Sequence, residues 1–346
     1  LVTANHTWLV NYTKEFGKFS NTGFATATMR NEAGSLEWER TLRLLSPRPD
    51  RPVIVIYDAV KNANTQTISN DNYIWSMPFM TDTIISVKSI GAAQPYEETL
   101  IPPGDFWPYP LTSNGPNPRP TVTRTTPGAG LFQFGFIGTN WGVANAAISG
   151  IDWKMYSLTN NPVEYNASKW THNFIEDPEK TEYFSALGRT YKETQEFIRI
   201  RNRGEFFTVI VPYNKGTDPY EGKVSNSANG EIKIQFDNAD LFIGKEYSLY
   251  KEQNKTTYTT FSKTNYANIS GDILMSGGAA GLVLEANRAI VRIHGNEGQR
   301  KITIPRLNYV LSGTDNSVSL EYTSATTTIN INYGGGGLCV AQDEQG

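Results

Sequence analysis

One stretch of the chain, from Leu36 to Lys61, constrains the fold more than any other. Two strand-like runs, Leu36–Leu45 and Pro52–Lys61, flank the turn SPRPDR. The second run contains VIVIY, which is apolar on both faces and therefore predicts a central strand ending at Asp58. In the first run, two sets of side chains alternate with roughly the period of a half-buried strand. One set is Glu37, Glu39, Thr41 and Arg43, and the other is Leu36, Trp38, Arg40, Leu42 and Leu44. The stretch predicts a long antiparallel hairpin.

Similar strand signals recur along all 346 residues, and most are bounded by Gly, Asn, Asp or Pro. Only Asp177–Leu187 has a helical pattern, because its Asp-Pro start suits a helix cap. The sequence therefore predicts an all-β fold of stacked antiparallel sheets, of the β-sandwich or super-sandwich type, with at most one short helix.

Strand length and spacing change after about Gly222, which predicts two regions and a tail. Residues 1–222 are expected to form a large antiparallel β-sandwich region, and 223–333 a smaller C-terminal β region. Residues 334–346 are expected to be a flexible tail. The segment 95–130 is rich in Pro, Gly and Asn, and a loop this long is usually functional or mobile.

Charge and hydropathy exclude two classes of partner. The net charge is −3 and the pI is about 5.8, so the basic footprint of a nucleic-acid-binding protein is missing. No apolar run approaches the roughly 18–20 residues that a membrane span needs.

Cys339 is the only cysteine, so no intrachain disulfide forms. The opening residues lack the pattern of a signal peptide, which fits either a cytoplasmic protein or a fragment whose beginning was removed.

Three arginines form the first candidate binding site. Arg199, Arg201 and Arg203 alternate with Ile198, Ile200 and Asn202, so their guanidinium groups are expected on one face of a strand. The guanidinium fork suits bidentate capture of a carboxylate or sulfate, which predicts a binding stripe for an acidic glycan. The alternative is an outer sheet face on which these arginines pair with glutamates of neighbouring strands, such as Glu193 or Glu196.

Aromatic residues supply further candidates for sugar binding. Trp107 and Tyr109 in the long loop, together with Trp141, are candidates to stack on sugar rings, and packing in the core is the alternative. Trp170 and His172 lie in a stretch that is expected to be irregular. There Trp170 is a candidate platform for a sugar ring, and His172 is a candidate catalytic acid or base. The alternative is that the tryptophan packs in the protein and the histidine lies on its surface.

Three segments together resemble the C-terminal β-sheet part of heparinase II/III-like polysaccharide lyases, which include related alginate lyases. Ala4–Phe16 (ANHTWLVNYTKEF) resembles the family's His-Asn-Thr strand. The hairpin resembles its strand with an aromatic residue and Arg, followed by a strand ending in Asp. Arg189–Gly216, which ends in Pro-Tyr-x-x-Gly, is similar to its late strand pair. The order of all three carries the resemblance.

The resemblance implies that the chain is the β-sandwich portion of a lyase that cleaves uronate-containing acidic polysaccharides by β-elimination. In that family a helical toroid before the sheets carries most catalytic residues, and a His-x-His-x-Asp segment begins the sheet region. This sequence has only His6, His172 and His294, and so contains no His-x-His pair. We therefore expect it to lack the N-terminal helical toroid and to be inactive alone. A periplasmic or extracellular location is expected from the resemblance.

The resemblance also bears on metal binding. The histidine of the family's His-Asn-Thr strand helps to hold a structural metal in some members, which makes His6 a candidate ligand for zinc. Here the order is Asn5-His6-Thr7, which places His6 on the opposite strand face, so a surface or interface histidine is the alternative. Zinc also needs about four ligands, and the others would have to come from upstream. No cofactor is required for the chemistry.

Two other functions fit the same residues. The first is a non-catalytic carbohydrate-binding or cell-surface scaffold protein that shares only the sandwich. The second is a complete glycan-active enzyme that uses His172 and nearby tyrosines.

Overall fold

The computed structural model describes residues 8–19, 22–31, 34–62, 73–93, 95–101, 122–138, 141–143, 146–148, 150–173, 192–260, 267–269, 273–276, 280–285, 288–294, 300–305, 317–322, 326–332 and 342–343. No residue within these ranges is helical, and most lie in strands. The predicted all-β class is confirmed. The helix predicted at 177–187 lies outside the described residues, as do His6, Trp107 and Tyr109.

The strands of the N-terminal part are β1 (Trp8–Phe19), β2 (Thr22–Asn31), β3 (Leu36–Arg48), β4 (Arg51–Asn62), β5 (Tyr73–Ile90), β6 (Glu97–Leu100), β7 (Val122–Thr125), β8 (Gly130–Gly138), β9 (Trp141–Val143), β10 (Ala146–Ile148), β11 (Ile151–Thr159), β12 (Glu164–Asn173), β13 (Lys192–Asn202) and β14 (Glu205–Asn214). Those of the C-terminal part are β15 (Val224–Asn226), β16 (Ile232–Phe236), β17 (Ala239–Ile243), β18 (Tyr247–Glu252), β19 (Lys255–Thr260), β20 (Ala267–Ile269), β21 (Ile273–Ser276), β22 (Ala280–Glu285), β23 (Arg288–His294), β24 (Arg300–Pro305), β25 (Ser317–Tyr322), β26 (Thr326–Asn332) and β27 (Gln342–Asp343).

These strands pair into antiparallel sheets. The largest has 12 strands in the order β1-β2-β3-β4-β14-β11-β8-β5-β13-β12-β7, with β6 added beside β5. A nine-stranded sheet has the order β15-β16-β17-β18-β19-β22-β23-β26-β27, and a four-stranded sheet the order β20-β21-β24-β25. Strands β9 and β10 form a separate hairpin.

The chain divides into two compact units. The first comprises residues 1–11, 28–40 and 53–221, and the second comprises 12–27, 41–52 and 222–346. The second unit therefore draws residues from strands β1 to β4 as well as from the C-terminal part, whereas the sequence-based division had assigned all of residues 1–222 to one region.

In the first unit, strand β5 changes partners along its length. Its first half pairs with β13 and its second half with β8, and the pairing with β8 contains a register shift between Thr81 and Ile85. One sheet thereby supplies two layers, and their facing side chains form a common core. For example, the rings of Phe134 in β8 and Tyr165 in β12 meet edge to face with centroids 5.4 Å apart.

The predicted hairpin is β3 and β4, joined at Pro49 and Asp50. Strand β4 lies between β3 and β14, so its prediction as a central strand is confirmed. The alternation along β3 is also present, but Arg43 is buried, whereas Leu42 and Leu44 are 43% and 50% exposed. The charged residue therefore faces inward at a place where leucines would be expected to do so.

The burial of Arg43 is explained by its hydrogen bonds within the second unit. Its Nη1 donates to the carbonyl oxygen of Tyr247 and its Nη2 to that of Gly244, both at 2.7 Å. Burial lowers the pKa of Arg43 to about 9, while the charge of Glu246 acts in the opposite direction. Gly244 is required at this turn, because a Cβ atom there would lie 2.5 Å from the ring of Tyr247. We call Arg43, Gly244 and Tyr247 the Arg43 cluster.

A second buried charge, Asp58, is held within the first unit. Arg40 donates to both of its carboxylate oxygens, from Nε at 2.7 Å and from Nη2 at 3.0 Å, and the indole Nε1 of Trp38 donates at 2.9 Å. Burial raises the pKa of Asp58, although the hydrogen bonds from Arg40 and Trp38 act to lower it. The Trp-x-Arg pattern of β3 and Asp58 of β4 thus have a structural role, and we call these three residues the Asp58 cluster. Strand β4 itself continues to Asn62, beyond the end predicted at Asp58.

Candidate functional site

Strands β12 and β13 carry four of the residues predicted to form a site. Their register pairs Arg199 with Asn166 and Arg201 with Glu164. Ile198 and Ile200, which alternate with the two arginines, are buried in the core. Since side chains alternate along a strand, Arg199 and Arg201 share the face that points away from the core. We call this surface, with Asn166 and Glu164, the arginine face.

The two arginines of this face have different partners. The Nη1 of Arg199 donates to Ser168 Oγ at 3.0 Å and lies 3.5 Å from Asn166 Oδ1. Its guanidinium carbon is 5.6 Å from the centre of the Phe197 ring. These partners fix the position of the guanidinium.

Arg201 instead forms an ion pair with Glu164 across the two strands. The Nε–Oε1 distance is 3.4 Å, and the side chains are 48% and 37% exposed. A solvent-exposed pair of this kind contributes about 0–1 kcal/mol. The alternative of pairing with a neighbouring glutamate therefore holds for Arg201, although the carboxylate is Glu164 and not either of the two glutamates considered from the sequence.

The other predicted residues are more scattered. Arg203 lies beyond the end of β13, in an exposed turn before Gly204, whose φ of 70° favours glycine. Trp170 and His172 are part of strand β12, opposite Gln195 and Glu193, so the expectation of an irregular stretch was wrong. Trp170 and His172 belong to the same set of alternating positions on β12 as Asn166. Trp141 lies in the separate hairpin, where it pairs with Ile148.

A cluster that was not predicted lies where strands β6 and β7 flank the long Pro/Gly segment. The hydroxyl of Tyr96 donates to Glu98 at 2.7 Å and lies 2.6 Å from the hydroxyl of buried Tyr165. Arg124, whose side chain is 47% exposed, forms an ion pair with Glu98. We call these four residues the edge cluster. No sequence signal predicts it, because Tyr96 and Tyr165 are 69 residues apart.

The protonation of the edge cluster limits its chemistry. Burial raises the pKa of Tyr165 above its ordinary value, and hydrogen bonding to Tyr96 adds to this effect. Burial likewise raises the pKa of Tyr96. Burial also acts to raise the pKa of Glu98, but hydrogen bonds from Tyr96 and Arg124 lower it overall. The cluster therefore holds two protonated tyrosines beside a carboxylate, which suits hydrogen-bond donation better than proton abstraction.

A third polar group is centred on Lys154 of β11. Its Nζ donates to Glu221 at 2.9 Å and contacts Asp218 directly, while Lys88 donates to Glu221 at 3.1 Å. Hydrogen bonds from the two lysines lower the pKa of Glu221 to about 2. We call Lys154, Asp218, Glu221 and Lys88 the Lys154 cluster.

The segment after β14 that carries these carboxylates is tied back to β11 at a second point. The carboxylate of buried Asp152 accepts hydrogen bonds from the backbone N–H of Gly138 at 2.9 Å and of Gly216 at 3.0 Å. Gly216 has a φ of 78°, which explains the glycine that closes the Pro-Tyr-x-x-Gly motif. The motif therefore fixes the course of the chain toward Asp218.

The described part of the chain contains no group of three or more His, Cys, Asp or Glu side chains able to hold a metal. Within the same ranges there is no helix long and apolar enough to cross a membrane. Searches against protein-family models and against curated proteins found no match to this chain.

Proposed function

We propose that this chain is the glycan-contacting β-sandwich portion of a heparinase II/III-like polysaccharide lyase. Its partner is an acidic polysaccharide, and the groups that perform β-elimination lie outside these 346 residues. The resemblance of three ordered segments suggests the class of enzyme. The observation that supports glycan binding most directly is the pair of arginines, Arg199 and Arg201, that share one outer face of the sheet.

The physical case for an acidic ligand rests on charge and geometry. A guanidinium fork held in position by Ser168 and Asn166 suits bidentate contact with an incoming carboxylate or sulfate. The exposed Glu164 carboxylate is a weak competitor for Arg201, since exposed pairs are easily exchanged. Repeating anionic sugars can therefore engage both arginines along the arginine face.

Replacing Arg199 and Arg201 together with alanine is expected to weaken binding of an anionic glycan about 10- to 100-fold, the effect of losing one strong charge-assisted hydrogen bond. Calorimetric titration with alginate and heparan sulfate oligosaccharides measures the effect, with a neutral dextran oligosaccharide as reference. The wild-type affinity is expected to fall as salt is raised.

Arg30→Ala is the matched control, because Arg30 is an exposed arginine paired with Glu37 at 2.9 Å on a different strand. It removes one of the two positive charges that the double variant removes, and it is expected to leave binding unchanged. Equal affinity of the double variant and the wild type, or equal binding of the neutral glycan, contradicts the proposal. Binding without any lyase activity of the full-length protein supports the non-catalytic scaffold instead.

The chain alone is expected to show no β-elimination on alginate, heparan sulfate or other uronate polymers. The assay follows the absorbance of the unsaturated product. Robust turnover would show that the catalytic groups are within these residues, and His172→Ala then tests whether His172 is one of them. Retained activity in that variant excludes His172.

A further inference from the structure

The arginine face contains a row of polar side chains that runs across four strands. Arg199 of β13 lies directly opposite Ser76 of β5 on one side and Asn166 of β12 on the other. Asn166 in turn lies opposite Thr123 of β7. Residues that are directly opposite each other in antiparallel strands point to the same face of the sheet. We call Ser76, Arg199, Asn166 and Thr123 the cross-strand row.

We propose that an acidic polysaccharide crosses strands β5, β13, β12 and β7 along this row, which makes Ser76 and Thr123 further binding residues. The inference rests on the proposed function and adds to it the direction of the bound chain. An acidic group of one sugar contacts Arg199. Hydroxyl groups of the neighbouring sugars form hydrogen bonds with the neutral side chains of Ser76, Asn166 and Thr123.

The spacing of the row fits a polysaccharide. Neighbouring strands lie about 4.8 Å apart, which is close to the advance per sugar in a (1→4)-linked pyranose chain. Ser76 and Thr123 are three strand spacings apart, or roughly 14 Å, so each of the four strands can receive one sugar of a tetrasaccharide. Thr123 is exposed, and Ser76 and Asn166 are half-buried. The row is therefore a shallow surface on which a chain can lie.

The direction along β13 fits a polysaccharide less well. Arg199 and Arg201 are two residues apart, which separates them by roughly 7 Å along the strand. This distance is longer than the advance of one sugar. The next arginine, Arg203, lies beyond the end of the strand, so it does not continue the line.

The neighbouring row across the sheet supports the same choice. It is displaced by two residues on each strand and consists of Ile74, Arg201, Glu164 and Thr125. Ile74 offers no hydrogen-bonding side chain, and the carboxylate of Glu164 repels an acidic sugar. Arg201 can still contact an acidic substituent that projects sideways from a chain on the cross-strand row, so both arginines take part in binding.

Calorimetric titration with alginate and heparan sulfate oligosaccharides of two and four sugars tests the direction. The double variant Ser76→Ala/Thr123→Val removes the hydroxyl groups at both ends of the row and keeps both arginines. Tetrasaccharide binding is expected to weaken about 10- to 50-fold, the combined effect of two neutral hydrogen bonds. Disaccharide binding is expected to weaken less, because a disaccharide spans only two of the four strands and reaches at most one of the two hydroxyl groups.

Ile74→Val/Thr125→Val is the matched control, since it changes the end residues of the neighbouring row on the same two strands. It is expected to leave tetrasaccharide affinity unchanged. Equal affinity of Ser76→Ala/Thr123→Val and the wild type, or equal losses in this variant and the control, overturns the crossing direction. In either case a loss of binding on replacement of Arg199 and Arg201 still upholds the proposed function. Absence of binding by the wild type overturns both.

Discussion

Replacing Arg43 with alanine is expected to lower the free energy of unfolding by about 3–5 kcal/mol. The variant leaves the carbonyl oxygens of Gly244 and Tyr247 without the donors that reach them at 2.7 Å. It also opens a cavity in place of a fully buried side chain. Removing a buried charge is favourable by itself, but the lost charge-assisted bonds and the cavity outweigh that gain. Chemical denaturation followed by far-ultraviolet circular dichroism measures the change.

Two further variants identify the cause of this loss. Arg43→Lys keeps the charge and most of the aliphatic stem, but one ammonium cannot reproduce the planar fork that reaches both carbonyl groups. We expect it to recover only part of the stability. Leu44→Ala is the matched control on the same strand, since Leu44 is 50% exposed, and it is expected to change stability by no more than about 0.5 kcal/mol. An Arg43→Ala variant as stable as Leu44→Ala would contradict the role of the Arg43 cluster.

Replacing Asp58 with alanine is expected to lower the free energy of unfolding by about 2–4 kcal/mol. The indole N–H of Trp38 then loses its acceptor, and Arg40 loses both of its hydrogen bonds to the carboxylate. Because the side chain of Arg40 is 40% exposed, water partly replaces the lost contacts, which keeps the loss below that of Arg43→Ala. Thermal and chemical denaturation together measure the difference.

Asp58→Asn removes the charge of the Asp58 side chain but nearly preserves its shape. It keeps one acceptor oxygen, so it is expected to be more stable than Asp58→Ala. Burial raises the pKa of Asp58 in the folded state above its unfolded value, so the folded protein binds more protons over that interval. The stability of the wild type relative to Asp58→Asn is therefore expected to fall as the pH rises through that interval. A difference that is constant with pH, or one that rises, contradicts this assignment.

The strand pattern of the sequence was sufficient for the fold class, because local propensity and turn residues act over a few positions. The apolar run VIVIY predicted a strand with neighbours on both sides, and β4 has them. The inward orientation of Arg43 was not predictable. Its partners lie more than 200 residues away along the chain, and without them a buried guanidinium would be strongly unfavourable.

The polar clusters were inaccessible from the sequence for the same reason. Lys154 and Asp218 are 64 residues apart, and they meet only because β14 pairs with β11 and the motif after β14 turns the chain back. The arginine face was predictable in part, since alternation placed Arg199 and Arg201 on one surface. The same argument does not place Arg203 on this surface, because β13 ends at Asn202 and side chains alternate between two faces only within a strand.

The division of the chain into two units has a spectroscopic consequence. All seven tryptophans fall in residue ranges of the first unit, and the second unit contains none. Intrinsic tryptophan fluorescence is therefore a selective reporter of one unit, whereas circular dichroism averages over both. A single tryptophan introduced on β17 or β18 would give the second unit an optical signal of its own.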